Sequence, residues 1–240
     1  MSKSSPFEAV HKILGANLAE YDGWLLPADY GDRAAEAEAL AKGCATFDLS
    51  SFGRITIQGA HGEALMDRLL AGGADGYRQG KWIWAGLSDG PAGADEMLRV
   101  GKIGAEYALF TLPGQRETVL RFAESLTDEV GLADVKIDDI TAKSAMLGIY
   151  GPEAVTSAGS ILPFDIAGIG AGCIEKVSLF MISATIIRGS WAGGDGVEIV
   201  CPASIAKMAA GMVAKYHKRV NVTPAGMDCL KGAIAAGQID

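Results

Sequence analysis

The sequence is poor in the residues that most often advertise chemistry. It has three histidines and four cysteines in 240 residues. Cys44, Cys173, Cys201 and Cys229 are far apart, and no pair has CxxC spacing, so neither a metal-ligand set nor a redox motif is written in them. They read as small buried or half-buried thiols in a reducing compartment. His11, His61 and His217 fall on or beside expected helices and read as solvated or capping residues. There is no GxSxG elbow, HExxH pair or P-loop. Basic residues are also scarce: 21 Lys plus Arg against 29 Asp plus Glu gives a net charge of −8, the opposite of a nucleic-acid footprint. No apolar run nears the about 20 residues of a membrane helix. The polar start, Met1 to Pro6, has no signal-peptide core, so a soluble cytoplasmic protein is expected.

What the chain does have is a globular composition, with 49% hydrophobic and 21% charged residues, enough for one domain or two packed lobes. Ser5, Pro6 and Glu8 signal a helix start, with Val10, Ile13, Leu14 and Leu18 on one face. Tyr21 to Gly31 reads as a loop. A second helix runs from about Asp32 to Gly43, its Glu36 and Glu38 solvating an exposed face. Arg54 to Gln58 alternates as a strand, with Ile55 and Ile57 on one side, and Gly59 ends it. A helix near His61 to Leu70 follows, then strands at Trp82–Leu87, Met97–Val100 and Tyr107–Leu112. Pro113 opens a long amphipathic helix with Val119, Phe122, Leu126 and Val130. Further strands are expected at 135–140, 145–150, 174–179, 181–187 and 197–201, and helices at 152–161, 203–217 and 225–235. Neighbouring strands joined by short turns favour antiparallel pairing, hence an α+β class. The Gly-rich Ile166 to Cys173 lacks a dinucleotide-binding context and reads as a flexible loop.

Two places carry candidate chemistry. Asp95 and Glu96 follow the turn Gly90-Pro-Ala-Gly93 and precede a strand. A carboxylate held there over a pocket suits proton transfer; the alternative is a pair of solvent-facing turn residues. Gly193-Gly-Asp-Gly196 follows Trp191. It is either a backbone that lets a flat ligand approach, or a hairpin turn at Asp195-Gly196. Trp82 and Trp84 share one strand face and either line a pocket or fill a core.

The order of short motifs resembles the folate-binding region of the glycine cleavage T-protein (aminomethyltransferase) family. Tyr21-Asp-Gly-Trp24, Leu26-Pro27 and Tyr30-Gly31 are similar to its N-terminal segment, and Phe47-Asp-Leu-Ser50 to its Phe-Asp-Val-Ser element. Gly80-Lys-Trp-Ile-Trp-Ala-Gly86, Tyr150-Gly-Pro152 and Gly196-Val-Glu-Ile199 are similar to three later motifs. The resemblance implies two α+β lobes over residues 1–240, one ferredoxin-like, without the C-terminal β-barrel of the family. It implies a tetrahydrofolate-dependent one-carbon (methyl or aminomethyl) transferase or, alternatively, a non-catalytic subunit that binds folate or another flat ligand and docks on a partner or on itself. It makes Asp95 the catalytic carboxylate and places Phe52, Trp84, Trp191, Asp195 and Thr111 around the cofactor, with no metal. Two departures stand out: the family's pterin-binding glutamate falls on Gly194, and its arginine on Met227. Neither the one-carbon donor nor the oligomeric state follows from the resemblance.

Overall fold

A computed structural model describes residues 2–74, 76–88, 97–130, 132, 134–179, 182–208 and 222–237. The chain divides into two units: unit 1 is Met1–Ser50 with Lys143–Asp240, and unit 2 is Ser51–Ala142. Among the described residues no helix is long and apolar enough to cross a membrane.

Unit 2 begins with β5 (Gly53–Gln58), α3 (Gly62–Leu69) and β6 (Trp82–Gly86), then β7 (Met97–Ile103), β8 (Glu106–Thr111), α4 (Arg116–Val130) and β9 (Lys136–Asp139). Its five strands lie in the order β6-β7-β8-β5-β9, all pairs antiparallel. Without the added edge strand β6, this is the βαββαβ arrangement of a ferredoxin-like lobe. The period-2 pattern sends Ile55, Ile57, Leu98, Val100 and Leu109 to one face, where they pack on Leu65, Met66 and Leu69 of α3 and Val119 and Ala123 of α4. Each such side chain, fully buried, is worth about 1.5–3 kcal/mol. Gly59 ends β5 at φ +118°, and a Cβ there would lie 2.1 Å from the Asp134 carbonyl oxygen, so only glycine fits.

Unit 1 contributes β1 (Lys3–Ser4), α1 (Glu8–Ile13), β2 (Asn17–Tyr21), β3 (Trp24–Asp29), α2 (Arg33–Lys42) and β4 (Ala45–Asp48). After unit 2 it resumes with β10 (Ser144–Tyr150), α5 (Ala154–Ile161), β11 (Ile174–Leu179), β12 (Ile182–Arg188), β13 (Gly196–Pro202), β14 (Thr223–Pro224) and α6 (Met227–Gly237). A six-stranded sheet runs β11-β12-β13-β10-β4-β14, and a small sheet runs β1-β3-β2. Ile149, Ile186, Val197 and Ile199 of the larger sheet pack against Ala154 and Ala158 of α5.

The N-terminal third departs from the sequence expectation. The helix is six residues long and ends at Ile13. Gly15, at φ +77°, closes it with a Schellman pair, Gly15 N–H to the Lys12 carbonyl and Ala16 N–H to the His11 carbonyl, which turns Leu18 into a strand. Ser5 does not cap the helix; Phe7 occupies that position without a side-chain bond. The expected loop from Tyr21 to Gly31 is mostly the strand β3, entered through a tight turn. Asp22 at φ 49° and Gly23 at φ 74° are its central residues, and the Asp-Gly dipeptide was its signal. Residues 166–173, expected to be a flexible loop, form ordered turns with Ile166 and Ile169 buried. Of the expected helix 203–217, only 203–208 lies within the described residues, and it is helical.

Candidate functional site

The face of the unit 2 sheet turned away from the helices carries one cross-strand row: Trp84 opposite Arg99, Arg99 opposite Phe110, and Phe110 opposite Arg54. Alternation would leave such polar strand residues in water. Instead Arg54 and Arg99 are 1% and 0% exposed. Arg54 donates from Nη1 to the Phe52 carbonyl at 2.7 Å and from Nη2 to the Thr141 carbonyl at 2.6 Å, tying the start of β5 to the end of β9. The Arg99 guanidinium lies 5.0 Å from the Trp82 ring and 5.6 Å from the Trp84 ring. The two indoles meet edge to face, with centroids 5.7 Å apart at 89°. Trp84 remains 42% exposed.

The other sequence candidates of unit 2 divide. Asp95 and Glu96 lie outside the described residues, in the connection between β6 and β7. Phe52 precedes Gly53, which pairs with Thr111 where β5 meets β8, and Phe52 and Thr111 are both fully buried. Thr111 Oγ1 donates to the Leu112 carbonyl at 3.1 Å. A Cβ on Gly53 would sit 2.2 Å from that oxygen and 2.9 Å from Arg116 Cβ, at the start of α4. Thr111 therefore faces the helix side of the sheet, and Trp84 the opposite side.

In unit 1, Trp191 and Asp195 share the connection from β12 to β13. Buried Arg188 organises it. Its Nη2 donates to both Asp195 oxygens at 3.0 and 2.8 Å, and its Nη1 donates to the Ile169 carbonyl at 2.5 Å. One guanidinium thus ties this loop to the ordered turns at 166–173. Asp195 also accepts from Gly196 N–H at 2.8 Å, and its side chain keeps 47% exposure. Trp191 is 5% exposed. Gly193 and Gly194 are both left-handed, at φ +76° and +70°, with open space where a Cβ would stand. Met227, at the start of α6, is buried.

Sequence reasoning missed a buried polar chain in unit 1. His11, expected to be solvated, is 5% exposed, and its Nε2 donates to Asp48 Oδ2 at 2.8 Å. Its Nδ1 and the Tyr30 hydroxyl are bonded at 2.7 Å. Ser5 Oγ donates to the same Asp48 oxygen, and Ser50 N–H donates to the other at 2.9 Å. Burial alone would raise the Asp48 carboxyl, but His11, Ser5 and Ser50 outweigh it and hold the group below the usual carboxylate range. Glu36 is also a correction: it is 2% exposed, accepting from Tyr30 N–H at 2.5 Å and Gly226 N–H at 2.9 Å. Its neighbour Glu38 is exposed as expected. Between α2 and α6 an open cleft of about 410 Å³ is lined by Ala37, Leu40, Ala41, Cys229, Gly232 and Ala233, with Arg33 and Asp228 at its rim. No group of three or more His, Cys, Asp or Glu gathers to hold a metal among the described residues.

Comparison with known proteins bears on these residues. A model of the GCVT N-terminal domain family matches residues 7–233. The aminomethyltransferase of Moorella thermoacetica is 26% identical over 226 residues, which is 94% of this chain and 61% of the relative. That of Cutibacterium acnes is 25% identical over 95% of this chain and 62% of its own length. The chain thus spans about three-fifths of the curated relatives it matches. The crystal structure of the glycine cleavage system aminomethyltransferase T from Bartonella henselae has the same fold, with a TM-score of 0.84 at 18% identity, over 98% of this chain and 62% of that one. A chain of the heterotetrameric sarcosine oxidase from Corynebacterium sp. U-96 matches with a TM-score of 0.55 at 16% identity, over 91% of this chain and 96% of that chain.

Proposed function

The chain belongs to the GCVT N-terminal domain family, and we propose that it works in the cytoplasm as a tetrahydrofolate-dependent one-carbon transferase, moving a methyl or aminomethyl group. The family match over residues 7–233 carries this reading. A reduced folate brings a flat ring system and a hydrogen-bonding edge. Trp84 fits the flat part, because it leaves 42% of its surface exposed on a rigid strand. Within unit 1, taken by itself, Asp195 keeps a half-exposed carboxylate with acceptor capacity beyond the bonds from Arg188 and Gly196. Gly194 and Met227 supply no polar partner. Each missing charged hydrogen bond costs on the order of 1.5–3 kcal/mol, so binding is weaker than with both partners by roughly two to four powers of ten.

Phe52 and Thr111 of unit 2 and Trp191 of unit 1, nearly or fully buried, act as interior packing residues of their own units. Asp95 orients or deprotonates the group that gives up the one-carbon unit, while the bound folate supplies the nitrogen that accepts it. Calorimetric titration with tetrahydrofolate tests this. Saturable binding is expected, with Asp95→Asn keeping affinity and losing turnover; no detectable heat of binding overturns it.

A second reading is a non-catalytic subunit that holds a flat ligand and docks on a partner or a second copy. The match to 96% of one chain of a heterotetrameric oxidase favours it. Ligand binding without turnover of any amine, sulfonium or ether donor, together with concentration-dependent association in sedimentation, selects this second reading.

A further inference from the structure

The strand pair β6–β7 has an unusual distribution of exposure. Trp84 and Met97, two large apolar side chains, are 42% and 43% exposed, while the cation beside them, Arg99, is 0% exposed. Cross-strand register pairs Trp84 with Arg99 and Gly86 with Met97, so alternation sets all four on the face turned away from the helices. Gly86 contributes no side chain, which leaves Met97 diagonal to Trp84 with nothing between them from β6. The Arg99 guanidinium lies within cation–π range of Trp82 and Trp84. An indole that shares its π density with a cation on one side is less electron-rich toward a ligand on the other. The same cation, one ring thickness further off, attracts negative charge there.

We propose that Arg99 is a specificity-determining residue. Through Trp82 and Trp84 it makes the Trp84–Met97 surface select a flat aromatic anion, of the aryl carboxylate class, over a flat aromatic cation. The proposal deepens the folate reading and rests on it for the choice of Trp84 as a ligand contact. It runs against the chain as a whole, whose net charge of −8 favours cations. A preference for the anion therefore has a local source.

Equilibrium dialysis of the full chain against 2-naphthoate and N-methylquinolinium reads this directly. At low salt the naphthoate is expected to be held about tenfold more tightly, the scale of one unit charge acting across a ring at a protein surface. Trp84→Ala abolishes the binding of both probes. Arg99→Met brings the ratio to one or below, Arg99→Lys keeps most of it, and Lys81→Met, which removes an exposed cation next to Trp82 in sequence, leaves it unchanged. A wild-type ratio at or below one overturns the proposal, and does so even where Arg99→Met does not fold. So does a ratio that survives Arg99→Met or vanishes in Lys81→Met. Tetrahydrofolate titrated in parallel separates the two readings. Naphthoate selectivity without folate binding removes the folate reading and keeps the Arg99 assignment; folate binding without selectivity does the reverse.

Discussion

The two units bury charge differently: unit 1 buries mainly carboxylates, along with Arg188, and unit 2, among the described residues, buries only guanidinium groups. In unit 1 the buried charged side chains include four carboxylates, Asp29, Glu36, Asp48 and Glu198, held by hydroxyls, an imidazole, a side-chain amide, backbone N–H groups and the Arg33 guanidinium. In unit 2, among the described residues, the buried charges are the guanidinium groups of Arg54 and Arg99, held by carbonyl oxygens and indole faces. A carboxylate is acceptor-only, so it gathers donors from separate segments, here α1, the loop after β3 and the start of α6. A guanidinium is donor-only and planar, so it collects strand-end carbonyls and lies against rings. Each unit is accordingly vulnerable in its own place: unit 1 at the convergence of distant segments, unit 2 where strand-end carbonyls and indole rings hold the guanidinium groups of β5 and β7.

The largest expected effect tests the carboxylate side. Asp48→Ala removes the acceptor shared by His11, Ser5 and Ser50, leaving buried donors unsatisfied, and is expected to cost about 3–5 kcal/mol. Urea unfolding followed by tryptophan fluorescence measures it. A loss near zero would mean that water replaces the carboxylate and that unit 1 does not depend on this convergence. The pH dependence has a definite sign. The Asp48 carboxyl lies below its unfolded value, so the stability it contributes is present above the ordinary carboxylate range and is lost as pH falls through the folded value. Asp48→Asn is therefore expected to flatten the acid limb of stability against pH. An unchanged slope assigns acid lability to other depressed carboxyls, such as Asp139 of unit 2.

The cation side gives the next effect. Arg54→Lys keeps the charge but cannot reach the Phe52 and Thr141 carbonyls together, and is expected to cost about 1.5–3 kcal/mol. Hydrogen exchange should localise the loss to the β5 and β9 amides. Spread over both units, it would erase the distinction drawn between them.

Much of the fold was legible because it follows local rules. Asp32 caps α2 by accepting from Ala35 N–H at 3.0 Å, and Ile55 and Ile57 alternate into the core as their period demands. The polar residues that matter were less legible. His11, Glu36, Arg54 and Arg99 carry the marks of solvent-facing positions, and the segments that enclose them are remote: Asp48 lies 37 residues from His11, and Gly226 lies 190 from Glu36. Residue type shows that a charge needs a partner; it does not show which distant backbone arrives. The tryptophans were half legible. Alternation put Trp82 and Trp84 on one side, and only the cross-strand partner revealed the cation against them.

Those tryptophans supply the smallest effect and the sharpest contrast between the units. Trp191 is 5% exposed in unit 1 and Trp84 is 42% exposed in unit 2. Shrinking a buried indole leaves a void, so Trp191→Phe is expected to cost about 1–2 kcal/mol. Trp84→Phe, which trims a surface already in water, should change stability by no more than about 0.5 kcal/mol. For ligand binding the order inverts, because a stacking surface has to be accessible before it can contribute. Melting temperature and folate affinity measured on the same two variants decide the point. If Trp191→Phe lowers affinity without lowering the melting temperature, the ligand meets unit 1 through its aromatic loop, and the division into a supporting indole and a contacting one fails.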